Sequence, residues 1–237
     1  ERLEAVETLT ILPTHFPFFL NHHMYLQHVT DLTIPFRQPL EVAELLKKTL
    51  PSLPLRQLVL YGGGLRGSGH FFQDIIPKWT SLTALHLGPE DALPPLSFIE
   101  SVSQLPQLRH LSVLGDFCLT FFDHLRRTPD HRFGGLETLI CETIAEPPPL
   151  WYPALFNDFT SLLHLSIDVP SSDNSLDFQL PQLRTFTLAV KSMNNPHIPQ
   201  LGQSLSEMTT LEALNLPILL NLVGSDEDLS DLFAYLT

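Results

Sequence analysis

The sequence predicts an α/β solenoid, right-handed, with about nine short parallel strands on its concave face and short helices on its convex face. Three observations carry this. A spacing of aliphatic residues recurs along the chain, the intervals between its copies are nearly constant, and the segments between copies have helical apolar spacing.

The recurring unit is clearest in "LRHLSV", where Leu108, Leu111 and Val113 stand at positions one, four and six. The same spacing begins at Val6, Val29, Leu55, Leu82, Leu108, Leu136, Leu162, Leu183 and Leu211. Six of the eight intervals are 26–28 residues. Chance matches in a leucine-rich chain would not be spaced so evenly, and a constant period of this length marks a stacked repeat. Alternation of large and small residues at the end of each unit is the period of a strand with one buried face.

Helices are expected over "EVAELLKKTL" (41–50), "HFFQDIIPKW" (70–79), "LSFIESVSQL" (96–105) and "CLTFFDHLRR" (118–127), with proline or glycine near their ends. The shortest interval, 21 residues before Leu183, contains "SSDNSLDFQ", which predicts an extended or single-turn connection. "SDEDLSDLF" (225–233) reads as a helix start, with Ser225 as cap and acids in the first turn. One unit cannot bury both its leucines and the inner side of its helix. Stacking makes the core continuous, so residues 1–237 are expected to form a single solenoid domain. The chain opens on Glu1, and it is expected to be a piece of a longer protein.

These rows and intervals resemble those of leucine-rich-repeat proteins, especially the irregular F-box type abundant in fungi, over roughly Val6 to Leu216. The resemblance implies a horseshoe whose concave face captures a substrate protein. It also implies a separate N-terminal F-box bundle that joins a cullin-type ubiquitin ligase, and no F-box is recognisable in these residues. Family repeats often carry Asn or Cys three residues after the third aliphatic. Here those positions hold Arg37, Gly63, Glu90, Asp116, Ile144, Pro170, Lys191 and Leu219, so irregular turns are expected.

Residues between the buried aliphatics face outward. They are mostly small or polar, and their columns hold no Lys or Arg. Partner contact is expected from Tyr61, His86, His110, Ser112, Glu142, His164 and Asp168. With 13 Lys and Arg against 26 Asp and Glu, the net charge of -13 argues against nucleic acid and favours a protein partner with basic patches. No run approaches the ~20 apolar residues of a membrane helix. Only Cys118 and Cys141 are present and no N-x-Ser/Thr site occurs, which fits an intracellular compartment.

No catalytic motif is found, so the expectation is a non-enzymatic recognition module without cofactor. The histidines His22, His23 and His28 lack a completing cysteine or carboxylate, which argues against a metal site. Two alternatives differ in class. One is a structural or regulatory repeat scaffold or sensor with no ligase link. The other is a nucleotide-binding enzyme, because Gly62, Gly64 and Gly67 match G-x-G-x-x-G with Glu90 and Asp91 beyond the next strand. The unbroken period on both sides of that turn and the early Pro77 weigh against it. Titration with nicotinamide nucleotides should therefore give neither binding heat nor a thermal shift.

Overall fold

A computed structural model describes residues 6–15, 18–19, 26–35, 47, 53–61, 75–88, 96–128, 133–142, 153–169, 178–190 and 198–217. The chain divides into two compact units, Glu1–Arg132 and Phe133–Thr237. Strands β1 (Thr8–Thr10), β2 (Asp31–Pro35), β3 (Gln57–Tyr61), β4 (Ala84–Leu87) and β5 (His110–Leu114) belong to the first. Strands β6 (Thr138–Glu142), β7 (His164–Val169), β8 (Thr185–Val190) and β9 (Ala213–Asn215) belong to the second. Within each unit, sheet order follows chain order and every pairing is parallel.

The register aligns the repeat residue by residue. In the first unit Leu9, Leu32, Leu58, Leu85 and Leu111 form one row, and Ile34, Leu60, Leu87 and Val113 the next. In the second, Leu139, Leu165, Phe186 and Leu214 align, as do Cys141, Ile167 and Leu188. These side chains are buried apart from Leu9 and Leu214, which are half-buried on the first and last strands. A leucine on an inner strand is covered from both sides, which stabilises it by about 1.5–3 kcal/mol.

A backbone device repeats with the leucines. The carbonyl just before seven of the described strands accepts two N–H groups from the strand segment that follows. Glu7 accepts from Thr30 and Asp31, Thr30 from Arg56 and Gln57, Arg56 from Thr83 and Ala84, and Thr83 from Arg109 and His110. In the second unit Glu137, Leu163 and Arg184 do the same, and all these bonds are 2.7–3.1 Å long. Both acceptor sites of each carbonyl are thus used, and adjacent rungs are locked in register.

The turn entering each rung also recurs. The N–H of Val29, Leu82, Leu136, Leu162, Leu183 and Leu211 donates to the carbonyl three residues earlier, on Leu26, Trp79, Phe133, Phe159, Leu180 and Met208 respectively. All six acceptor residues are buried. The repeat therefore has a further apolar position three residues before the motif, where Phe133 and Phe159 stack with ring centroids 6.1 Å apart. Side-chain donors add to the turns: the Ser81 hydroxyl donates to the Leu55 carbonyl at 2.9 Å, and that of Thr210 to the Leu183 carbonyl at 2.9 Å. These bonds tie rung to rung at the turn entering the strand.

On the opposite side of the sheet the described residues include two of the expected helices. Helix α1 (Leu96–Ser103) and helix α2 (Asp116–Arg127) occupy two of the four expected segments. Phe98 of α1 meets Phe117 of α2 at 5.8 Å between centroids, and both are buried. Gly115 begins α2 with φ 65°, a conformation glycine tolerates, so β5 passes into the helix without a longer loop. Over 70–79 the described residues begin with a helical Ile75 and pass into a 3-10 turn, Ile76–Lys78, with Pro77 at its start. The second unit instead has a 3-10 turn at Pro153–Phe156 and a helix α3 (Ile198–Glu207). The Ser204 hydroxyl of α3 accepts the Phe178 N–H at 2.9 Å. Residues 41–50 apart from Lys47, 171–177 and 225–233 lie outside the described residues, as do Gly62, Gly64, Gly67, Glu90 and Asp91.

No described helix is long and apolar enough to cross a membrane. Cys118 and Cys141 are both buried, and the Cys118 thiol donates to the Val113 carbonyl at 2.8 Å. Leu111→Ala, which opens a void in the buried leucine row of the first unit, should lower unfolding free energy by about 2–5 kcal/mol in chemical denaturation.

Candidate functional site

The outward faces of the strands carry the polar columns, and register fixes which groups are neighbours. In the first unit Ala84 lies beside His110 and His86 beside Ser112. His86 and His110 are therefore on adjacent strands, offset by one outward position. His110 is exposed and His86 half-buried. Burial, and secondarily the charge of His110, lower the His86 pKa from its ordinary 6.5. Ser112 is only 6% exposed, so its hydroxyl is screened from a partner although it shares the column of His86.

Tyr61 stands at the end of β3, 39% exposed, in register with Pro35. Its posture depends on Gly88. A Cβ there would lie 2.5 Å from the Tyr61 Cβ and 2.9 Å from its Cα, closer than atoms pack. The Gly88 N–H also donates to the Leu60 carbonyl at 2.6 Å, holding the backbone against the base of the tyrosine. Leu12, after β1, is likewise exposed, at 48%. The ends of β1 and β3 thus carry exposed apolar side chains.

In the second unit Glu142 is exposed at the end of β6, and His164 and Asp168 are half-buried on β7. His164 lies in register with Thr185, and its Nδ1 is 2.8 Å from the Thr185 Oγ1. That pair looks like a base and a hydroxyl nucleophile, but a third group must orient the ring for such chemistry. Asp168 is four residues along the same strand, about 13 Å away, and cannot do so. The contact is a rung-to-rung hydrogen bond. Among the described residues no three His, Cys, Asp or Glu side chains are grouped closely enough to hold a metal ion. His28 is exposed, whereas His22 and His23 lie outside the described residues.

The structure thus brings Tyr61, His86 and His110 to one face of the first unit, and Glu142, His164 and Asp168 to one face of the second. Arg56 and Arg109, both exposed, sit one residue before the outward columns, at the mouths of β3 and β5. They were missed because the columns were counted from the first strand residue. The same position holds Arg184 in the second unit, 3.8 Å from Glu212 on the next rung.

No family model matches this chain, and no curated protein matches its sequence.

The lowered pKa of His86 has a definite consequence for stability. The unfolded chain takes up a proton near pH 6.5 while folded His86 stays neutral to lower pH. Its contribution is therefore complete above pH 6.5 and is lost as pH falls through the lowered folded value. Thermal midpoints measured between pH 8 and pH 5 should decline less steeply below pH 6.5 in His86→Gln than in the wild type.

Proposed function

We propose that this chain is a leucine-rich-repeat solenoid that recognises another protein through the outward faces of its strands and catalyses no reaction. The carrying observation is the division of labour along inner strands such as β3, β4 and β7. One face is spent on buried leucine rows, and the other keeps exposed or half-buried groups in register at the repeat spacing. A rigid, periodic array of hydrogen-bonding side chains suits an extended partner segment, which gains affinity from a few anchors.

The acidic Glu142 and Asp168 of the second unit suit a segment carrying basic residues. By the resemblance of its repeats, the chain would be the substrate-selecting part of an F-box ubiquitin ligase receptor, bound to cullin-type subunits through an upstream F-box. An intracellular setting accords with two buried thiols and no N-x-Ser/Thr site.

The test is affinity capture with the full chain, comparing wild type with His110→Ala/Glu142→Ala/His164→Ala at matched folded fraction. Specific partners should drop out of the variant's captured set. An unchanged set overturns the placement of the recognition surface on these faces.

A further inference from the structure

We infer that His86 and His110 together bind one divalent transition-metal ion of the kind that favours imidazole, through one ring nitrogen each, with water completing its coordination. The inference goes beyond the protein-recognition reading above and does not depend on it.

Register sets the distance. His86 on β4 lies beside Ser112 of β5, and His110 on β5 lies beside Ala84 of β4. The two histidines therefore occupy one diagonal of a four-residue patch on the outward face, and two small residues occupy the other. Adjacent strands lie about 4.8 Å apart and two residues along a strand span about 6.6 Å, so the Cα atoms of the pair are about 8 Å apart. Ring-sized side chains on such a diagonal reach one another. Ala84 and Ser112 are too short to hold the imidazoles apart. Two metal–nitrogen bonds of about 2.0–2.1 Å close the gap between rings that lean inward.

The surroundings select the type of ion. The segments 57–61, 84–88 and 110–114 contain no Asp, Glu, Lys or Arg. These strands thus offer no carboxylate of the kind magnesium and calcium prefer, whereas imidazole suits zinc, copper and nickel. They hold no lysine or arginine either, the arginines Arg56 and Arg109 standing ahead of them. His86 is half-buried and His110 exposed, so one ligand is sheltered and the ion keeps open positions towards solvent. Burial, and then the charge of His110, keep a proton off His86 to lower pH than usual and leave the neutral ring that coordinates metal. One nitrogen per ring is enough. A hydrogen bond at the other nitrogen orients the ligand and does not compete with the ion.

The second unit supplies a contrast. His164 has Thr138 and Thr185 in register on either side, and no other histidine stands on β6–β9. Its Nδ1 is 2.8 Å from the Thr185 hydroxyl. A single imidazole of this kind is the internal control for a paired one.

The test is a titration of the whole chain, isotope-labelled at histidine nitrogen, with zinc chloride in a non-coordinating buffer at neutral pH, followed by NMR. Ring-nitrogen resonances of His86 and His110 should move together on addition of zinc, and those of His164 should stay. Magnesium chloride should move none of them. His110→Gln should weaken the response at His86 by about tenfold or more, and His86→Gln the response at His110 likewise. The variant His22→Gln/His23→Gln/His28→Gln should leave the response of the pair within about twofold. If His86→Gln lowers the thermal midpoint, His110→Gln at its exposed position carries the same comparison through the His86 resonances.

No response of the pair to zinc, or an equal response to magnesium, would overturn the inference. So would a response at His86 that His110→Gln leaves unchanged, since the two rings would then not share an ion. Loss of the response in the His22, His23 and His28 variant would overturn it as well, by placing the ion elsewhere.

Discussion

Every rung of this protein is held by a neighbour it cannot do without. A strand of three to six residues has too few apolar side chains to form a core, and its first backbone donors would stay unpaired if it stood alone. Stacking meets both needs in one step. The leucines of one rung are covered by those beside them, and the carbonyl ahead of most described strands gathers two N–H groups from the rung that follows. Because both bonds fall on the same oxygen, a slip of one residue would break the pair and turn the leucines outward together.

That constraint leaves the outward face free to vary. Threonine, histidine, serine and glutamine alternate with leucine on the strands of the first unit without disturbing the rows beneath, since their side chains project to the other side. Where an outward residue does interfere, the chain compensates locally. Tyr61 crowds the next rung, and Gly88 gives way by having no side chain. Ser112 and His86 show a finer grading, since side chains of one column differ in how much solvent they reach.

Much of the sheet was legible in the sequence, because spacing is preserved where side chains must interlock. The rows through Leu58, Leu85 and Leu111 lie where the six-residue motif puts them. The apolar residue three places earlier was overlooked because its identity changes from Leu26 to Trp79, Phe133 and Met208. What is constant there is burial, and burial is not written in one residue type. Of the segment 70–79, a helical Ile75 and the 3-10 turn Ile76–Lys78 are described, and apolar periodicity does not register that turn. On the site, register was foreseen but exposure was not, as Ser112 shows.

Identical joints between rungs bear on how such a chain changes over generations. The Thr30 carbonyl receives Arg56 and Gln57 just as the Thr83 carbonyl receives Arg109 and His110. A recombination event that excised or duplicated one whole period would find the same fittings at each cut end. New surfaces can therefore arise by shuffling segments of DNA rather than by redesigning an interior, with Arg56 and Arg109 brought onto adjoining strands or moved further apart.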